Sequence, residues 1–395
     1  MSNDFKKEIS AMEEEIISLR RDFHQHPELG LKEIRTSRRI ADYLEKTGLA
    51  VTTGVGQTGV TGLLQGAKPG KTLMMRADMD ALPIQEKNQV SYRSENDGVM
   101  HACGHDGHMA ILLAAAKILN AHRGEISGNI KFVFQPGEEG YDGARLMIEE
   151  GVLENPRVEA AIGLHLSTAM PVGKIGIRNG AFLAGSDAFS IRVYGQMGHG
   201  AHPESGVDAI FISANVITSL QSLVSREVSA LNPVVIHIGM IKGGTAGNII
   251  ADRVTLRTVV RTLDPELRGT IQQRMDRILK GITSAYRGSH EIRYLGGVGP
   301  VVNDPAMCQV VRSAAIRSVG QENIHIPEPS MGSDDMARFL EAVPGCYFSL
   351  GVGNKEKGYV YPIHHPQFDM DESGLVIGVD TLVRSALGYL KSDGS

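Results

Sequence analysis

The most constraining feature of the sequence is the segment HACGHDGH at residues 101–108, which is followed at once by the apolar run MAILLAAA at residues 109–116. The segment brings together three histidines, a cysteine and an aspartate, which are side chains that bind transition metals or move protons. Its two glycines let the backbone bend tightly. The apolar run predicts a buried helix, so the polar segment is expected at the mouth of that helix. A polar cluster in this position indicates a functional site and not a solvated helix face.

The chain of 395 residues is longer than one compact core usually holds, so two domains are expected. The strand and helix signals indicate where they divide. Over residues 59–166, apolar strand runs alternate with helical segments, which predicts an α/β fold with a mostly parallel sheet. Over residues 187–295, apolar and polar positions alternate within the strands, which predicts an antiparallel sheet with one solvated face. We therefore expect a three-layer α/β/α domain from residues 1–184 and 298–395, with an α+β domain inserted at residues 185–297.

Composition and charge exclude several classes of protein. The formal net charge is −5 and no dense basic stretch is present, so neither nucleic acid nor a membrane surface is an expected partner. No apolar run reaches the roughly 20 residues that span a bilayer. Met1–Arg21 predicts an amphipathic helix without the apolar core of a signal peptide. Three cysteines without disulfide-framework spacing fit a reducing, cytoplasmic location.

Side chains of the metal-ligand type recur in three further segments, QPGEEG at residues 135–140, GLHL at 163–166 and IHHP at 363–366. Several of these side chains follow the ends of predicted strands, where open α/β sheets bind their ligands. Nitrogen, oxygen and thiolate donors together favour zinc, manganese, cobalt or nickel over calcium or magnesium. The pattern therefore predicts one metal centre that is assembled from distant segments.

The adjacent glutamates Glu138 and Glu139 suit the hydrolysis of an amide. A metal pair polarises the carbonyl group and lowers the pKa of bound water toward roughly 7. One glutamate then ligates metal, while the other takes the proton of the water and returns it to the leaving amine. Adjacency alone leaves open which of the two does which.

The four ligand segments stand in order with RDFHQHPELG at residues 21–30, RADMDALP at 76–83, GQMGHGAHP at 195–203 and GGTAGN at 243–248. In this order and at these separations, the sequence resembles the amidohydrolase branch of the aminoacylase/carboxypeptidase G superfamily of metallohydrolases. Hippurate hydrolases, N-acyl-amino-acid amidohydrolases and plant auxin-conjugate hydrolases belong to that branch. The resemblance covers almost the whole chain, and it implies that the inserted domain serves as a lid and dimerisation domain.

The resemblance also implies a site for two divalent transition-metal ions (Zn, Mn, Co or Ni). The metal ligands that it implies are Cys103, as the bridging ligand, His105, Glu139, His165 and His364. It assigns the general base to Glu138 and the orientation of a metal ligand to Asp80. Asp78 stands where peptidase relatives carry a histidine ligand, so Asp78 is not counted among the ligands.

On the inserted domain, the resemblance implies roles for two further residues. His199 would stabilise the oxyanion by reaching the active site of the partner subunit in a homodimer or higher homo-oligomer, and an imidazole N–H suits that role. Asn248 would bind the substrate. The roles of Asp334, His202 and His365 stay open.

Within residues 101–108, only Cys103 and His105 are expected to bind metal. His101 and His108 are expected to form hydrogen bonds within the loop or the helix. Asp106 is expected to cap the helix that follows, since aspartate accepts backbone N–H groups well at such a position.

The function expected from these residues is hydrolysis of an N-acyl amino acid, with a hippurate-like, N-acetyl or other acyl group, to a carboxylic acid and a free amino acid. A dipeptidase or carboxypeptidase on the same scaffold is the nearest alternative. A non-catalytic metal-binding protein is another, although such a protein needs neither a base nor an oxyanion donor. A nucleophilic Cys103 would leave the paired glutamates without a role.

Overall fold

The computed structural model describes residues 5–391, which form two compact units. Residues 1–4 of the predicted N-terminal helix and residues 392–395 of the predicted first domain lie outside the described residues. The first unit comprises the chain up to Gly180, Val302–Glu328 and the chain from Asp335 onward, and the second comprises Ala181–Val301 and Pro329–Asp334.

The N-terminal part of the chain is two helices, Phe5–Ser10 and Glu13–Gln25, where the sequence predicted one. The break falls where the Met12 N–H bonds to the carbonyl of Ile9, three residues back, in a turn tighter than that of an α-helix. The prediction of a single amphipathic helix is therefore wrong at this point.

The first unit is organised around one eight-stranded sheet with a parallel centre. Leu73, Met74 and Met75 on a central strand are all fully buried, although successive residues of a strand point to opposite faces. Both faces of the sheet are thus covered there, and the predicted α/β class with a mostly parallel sheet is confirmed. Across the sheet, the strands are Ala50–Val55, Gly59–Gln65, Ser127–Gln135, Lys68–Asp78, Ala160–Pro171, Gly345–Gly353, Ile175–Gly176 and Ile324–His325.

Helices cover this sheet, and the most buried of them is His105–Ala121. Its buried residues run almost unbroken from the first turn to Leu119, and it packs against Glu13–Gln25 and Leu375–Leu390. Among the described residues, no helix combines the length and the apolar character that crossing a membrane requires. The helices of the first unit are Phe5–Ser10, Glu13–Gln25, Ile34–Lys46, His105–Ala121, Gly143–Glu149, Pro305–Val319, Met336–Ala342 and Leu375–Leu390.

The second unit has an antiparallel sheet, two helices and an apolar core of its own. Each helix follows an aspartate whose carboxylate accepts two backbone N–H groups, Asp208 before Ala209–Ser222 and Asp264 before Pro265–Ala285. The alternating pattern of the sequence predicted this antiparallel sheet. Across it, the strands are Val234–Gly243, Arg253–Thr262, Gly185–Tyr194 and Ser289–Val298, and a separate ribbon pairs Gly198–His199 with Ile249–Ile250.

The parallel strands deliver the polar segments to one edge of the first unit's sheet. Asp78 and Gln135 end two adjacent parallel strands and are register partners, so the loops that follow them leave from the same place. His165 differs, because its strand continues to Pro171 by pairing with Gly345–Gly353. Side chains of the metal-ligand type were expected after the ends of strands, whereas this histidine lies within a strand.

Candidate metal centre

Two glycines shape the segment that carries Cys103 and His105. Gly104 has a φ of 87°, a left-handed conformation that L side chains rarely adopt, and the helix begins directly after it at His105. A Cβ atom on Gly107 would lie 2.5 Å from Leu166 Cδ1, so only glycine lets the first turn of the helix approach the neighbouring strand this closely. The turn and the close approach bring His105 toward the strand that carries His165.

The structure brings all five predicted metal ligands together in two groups that share the thiol of Cys103. In each group, the potential ligand atoms lie within 4.8 Å of one another. Cys103 Sγ is 3.4 Å from His165 Nε2, and Glu139 Oε1 is 3.2 Å from His364 Nε2. The first group consists of Cys103, His105 and His165, and the second of Cys103, Glu139 and His364.

The rings of His105 and His165 are both fixed through their Nδ1 atoms. His105 donates its Nδ1–H to the carbonyl of Asp80 at 2.8 Å, and His165 donates its Nδ1–H to the carbonyl of Leu166 at 2.7 Å. Each ring therefore turns an Nε2 acceptor toward the cluster. His105 Nε2 is buried and has no hydrogen-bond partner among the described residues. An unsatisfied acceptor beside a thiol and a carboxylate fits a divalent transition-metal ion, so this donor set suits two such ions.

His364 stands in a strained loop on the other side of Cys103. It has a φ of 65°, and its N–H donates to the carbonyl of Ala102 at 2.7 Å, which ties its loop to the segment of Cys103. Hydrogen bonding to Cys103 and Glu139 raises the pKa of His364 to about 10. The side chains of Cys103 and Glu139, which favour a proton on His364, favour a metal cation for the same electrostatic reason.

The ring of His365 contacts its own loop and does not face the potential metal ligands. Its ring stacks on Tyr361 with centroids 4.4 Å apart and planes 5° apart. Its Nδ1 accepts the N–H of Gln367 at 3.1 Å. Among the described residues, no group of potential metal ligands includes His365.

Asp80 supports two of the predicted ligands at once. Its backbone carbonyl holds the ring of His105, and its Oδ2 accepts the backbone N–H of Glu139 at 2.9 Å. Burial by itself raises the pKa of Glu139, but His364 and His105 outweigh it and hold that pKa below its usual value. Glu138 belongs to a third group, in which its carboxylate lies within 4.8 Å of the ligand atoms of His105 and Glu139.

A buried pair behind the cluster was missed by the sequence reasoning, because His108 forms its hydrogen bonds with neighbouring strands and not within its own loop or helix. The carboxylate of Asp78 accepts hydrogen bonds from Arg76 and from the Nδ1–H of His108. His108 Nε2 accepts the N–H of Leu166 at 3.0 Å, so both of its ring nitrogens are used. Burial lowers the pKa of His108 to about 4, which keeps the ring neutral. The spacing of His105 and His108, which puts both on one helix face, was the available signal.

Two further expectations about the segment at residues 101–108 are wrong. Asp106 does not cap the helix, because the helix begins at His105 and the carboxylate turns into the core, where it accepts from Arg20 Nε at 2.8 Å and His24 Nδ1 at 2.7 Å. His101 forms no hydrogen bond through either ring nitrogen within the described part of the chain. Burial lowers the pKa of His101 to about 3, so the ring stays neutral in the core.

In the second unit, the ribbon brings His199 and Asn248 together. Ile249 pairs with His199, and the N–H of Gly200 donates to the carbonyl of Asn248 at 2.8 Å. His199 Nδ1 accepts the N–H of Ala201 at 3.1 Å, so the proton of the neutral ring is on Nε2. His199 and Asn248 are both exposed. His202 is also exposed, with its Nδ1 3.6 Å from Glu204 Oε1, and Asp334 is buried in this unit.

Comparison with known proteins finds relatives that cover most of this chain. The family model of peptidase family M20/M25/M40 matches residues 74–387. An N-acyl-L-amino acid amidohydrolase of Geobacillus stearothermophilus is 43% identical over 301 residues, which cover 76% of this chain and 81% of that protein. Thermostable carboxypeptidase 2 of Saccharolobus solfataricus is 40% identical over 379 residues, which cover 94% of this chain and 95% of that protein. Among solved structures, the Bacillus subtilis YXEP protein, a dinuclear metal-binding peptidase from the M20 family, matches with a TM-score of 0.87 and 32% identity over 97% of this chain and 99% of that chain.

Proposed function

Because this chain belongs to peptidase family M20/M25/M40, we propose that it hydrolyses the amide bond of N-acyl amino acids at a centre of two divalent metal ions. Membership makes it a hydrolytic enzyme that acts on amides. The identity of 43% to an N-acyl-L-amino acid amidohydrolase supports the choice of substrate class. The products are a carboxylic acid and a free amino acid.

The single observation that carries this proposal is the pair of donor groups that share Cys103. Cys103, His105 and His165 would hold one ion, and Cys103, Glu139 and His364 the other, with zinc, manganese, cobalt or nickel as the candidates. When bound, the ions supply Lewis acidity toward the amide carbonyl and toward water. The similarity to a dinuclear metal-binding peptidase supports the number of ions.

The residues of this chain divide the proton transfers between them. Glu138 takes a proton from water as the water oxygen bonds to the carbonyl carbon, and it returns that proton to nitrogen as the C–N bond breaks. Its carboxylate stands beside the ligand atoms of Glu139 and His105, which suits that task. A protonated His199 Nε2 is a hydrogen-bond donor for the oxyanion, and we assign this role to His199 of the partner subunit. Asn248 is the proposed substrate-binding residue beside it.

A homodimer is part of the proposal, and the surface of the second unit supports it. Val234–Gly243 is an edge strand of its sheet, and Met240 and Ile241 on it are 61% and 58% exposed. Ile210 and Phe211 on the neighbouring helix are also exposed. Edge strands with exposed apolar side chains are suited to pairing with a second copy. Light scattering on the purified protein tests this, and a monomer at assay concentration would contradict the role of a partner's histidine.

A substrate panel tests the activity. Protein loaded with manganese, zinc, cobalt or nickel is incubated with N-acetyl, N-benzoyl and indole-acetyl amino acids and with free dipeptides, and release of the amino acid is followed. We expect a higher kcat/KM for the N-acyl substrates, because the ammonium group of a dipeptide must lose its hydration close to the metal cations. Absence of hydrolysis with every metal and every amide would contradict the proposal.

A carboxypeptidase is the second candidate, favoured by the 40% identity to a thermostable carboxypeptidase. The same panel separates the two activities when N-blocked peptides are added. Faster release of the last residue of a blocked peptide than of an N-acetyl or N-benzoyl amino acid would favour the carboxypeptidase.

A further inference from the structure

The turn that carries Glu138 is held at both ends by carboxylates from other parts of the first unit. Residues 136–140 belong to no strand or helix. At one end, the N–H of Glu139 donates to Asp80 Oδ2 at 2.9 Å. At the other end, the N–H of Gly137 donates to Glu33 Oε1 at 2.9 Å. Glu138 lies between these two anchored amides.

Glu33 does not perform the task that its position in the chain suggests. It stands at the N-cap of the helix Ile34–Lys46, but its side chain makes no capping hydrogen bond. Glu28 does so instead, accepting the N–H groups of Arg35 at 3.1 Å and Thr36 at 2.8 Å. The carboxylate of Glu33 is thereby left to make its contacts outside its own helix.

The environment of Glu33 is an unfavourable one for a carboxylate. The residue is fully buried, and burial raises its pKa. Its Oε2 accepts the hydroxyl hydrogen of Thr58, and this bond orients the carboxylate so that Oε1 meets Gly137. A buried carboxylate costs stability, so the contact that it makes with the turn is a candidate reason for its presence.

We propose that Glu33 is a positioning residue for Glu138, acting through the backbone of Gly137. The inference rests on the proposed function, in which Glu138 is the general base. With the amides on both sides of Glu138 anchored, the direction in which its side chain leaves the turn is fixed. Loss of one anchor lets the base move, and a displacement of about 1 Å can cost about 10²-fold in rate.

Substitution of Glu33 tests the inference by its effect on kcat, KM and metal content. In Glu33→Ala we expect kcat to fall by about 10–10²-fold, with KM and the two bound metals per chain unchanged. In Glu33→Gln the amide oxygen still accepts the Gly137 N–H and the amide nitrogen donates to the Thr58 hydroxyl, so we expect kcat to be largely restored. A merely structural role would not separate kcat from KM and metal content in this way.

Hydrogen exchange of the peptide that covers residues 135–140 gives a readout that needs no substrate. In Glu33→Ala the Gly137 amide loses its acceptor, so we expect its exchange to accelerate, whereas in Glu33→Gln it stays slow. If Glu33→Ala fails to fold, Thr58→Val serves in its place, because it removes only the bond that orients the carboxylate. Unchanged exchange at Gly137 in that variant would overturn the inference.

Glu28→Ala is the matched control, because it removes the helix cap and leaves the turn untouched. We expect it to lower the melting temperature without changing kcat or the exchange of Gly137. Equal losses of kcat in Glu28→Ala and Glu33→Ala would overturn the inference in favour of general destabilisation. A wild-type enzyme without activity on any amide would contradict the proposed function alone, since the exchange data would still report whether Glu33 anchors the turn.

Discussion

The residues of the first unit that are assigned chemistry are fixed by further contacts and, apart from the exposed His364, are buried or half-buried, whereas those of the second unit are exposed at a two-stranded ribbon. His105 and His165 are each held by a carbonyl that accepts their Nδ1–H. The ring of His199 accepts the backbone N–H of Ala201, and Asn248 beside it is exposed. The comparison teaches that the two regions meet different demands. Metal ligands must be oriented before the ion binds, while an oxyanion donor must stay open to substrate.

The largest effect is expected within the first unit, from two neighbouring glutamates with different roles. Glu138→Ala should lower kcat by about 10²–10⁴-fold, because a general base contributes about that much, and should retain two metals per chain. Glu139→Ala should instead lose metal, because it removes a ligand of the second group. Metal analysis and steady-state kinetics on both variants check the contrast.

The pair is its own control, since the two residues share one turn and the same half-buried environment. High activity in a metal-replete Glu138→Ala variant would remove the base assignment. Equal metal loss in both variants would mean that both glutamates contribute to metal binding, which would contradict their separate roles.

In the second unit, His199→Ala should lower kcat by about 10²–10³-fold, the usual cost of one oxyanion donor, without changing metal content. His202→Ala, three residues further along the same exposed loop, is the control and should stay close to wild type. Mixing Glu138→Ala with His199→Ala subunits should restore about a quarter of the wild-type activity if the donor comes from the partner, since half of the dimers would then contain one complete site. No recovery after confirmed subunit exchange would place the donor within the same chain.

The sequence predicted the fold class and the residue types of the site for a simple physical reason. Continuous apolar runs indicate strands that are buried on both faces, and the strands Lys68–Asp78 and Ser127–Gln135 contain such runs at residues 73–75 and 132–134. Ribbons of two residues, such as Gly198–His199, have no period to detect. The segment Pro329–Asp334, which belongs to the second unit, gave no local signal for the same reason.

The contacts that hold the site were not predictable from local pattern. Glu33 reaches Gly137 across 104 positions of the chain and Arg20 reaches Asp106 across 86. A charged residue on a helix is predicted to be solvated unless its partner is known. For that reason Asp106 was predicted to cap its helix. The only local hint was that Arg20 shares the apolar face of its helix, four residues after the buried Ile16.

The contrast between buried and exposed charge can be tested inside one helix by comparing Arg20 with Arg21. Arg20 is fully buried and bonds to Asp106, Asp369 and Glu372. Arg20→Met should lower the free energy of unfolding by about 3–5 kcal/mol, because it leaves buried carboxylates without their partner. Arg21→Met removes a side chain that is 42% exposed and bonds to Glu372, so it should cost at most about 1 kcal/mol. Urea denaturation at equal metal load checks both, and equal losses would contradict the distinction.

The smallest effect expected is the pH dependence of stability that comes from Glu33. Burial raises its pKa in the folded protein above the value of about 4.3 that the unfolded chain has. Between those two values the folded state binds more protons than the unfolded state, so the contribution of Glu33 to stability falls as pH rises through that window. Glu33→Gln lacks this titration. The melting temperature of Glu33→Gln relative to wild type should therefore increase as pH rises from about 4, and level off once Glu33 is ionised in both states. A melting-temperature difference that stays constant with pH would mean that the carboxylate binds protons equally well in the folded and the unfolded state. Glu33 would then not belong to the buried charges that distinguish the first unit from the exposed ribbon of the second.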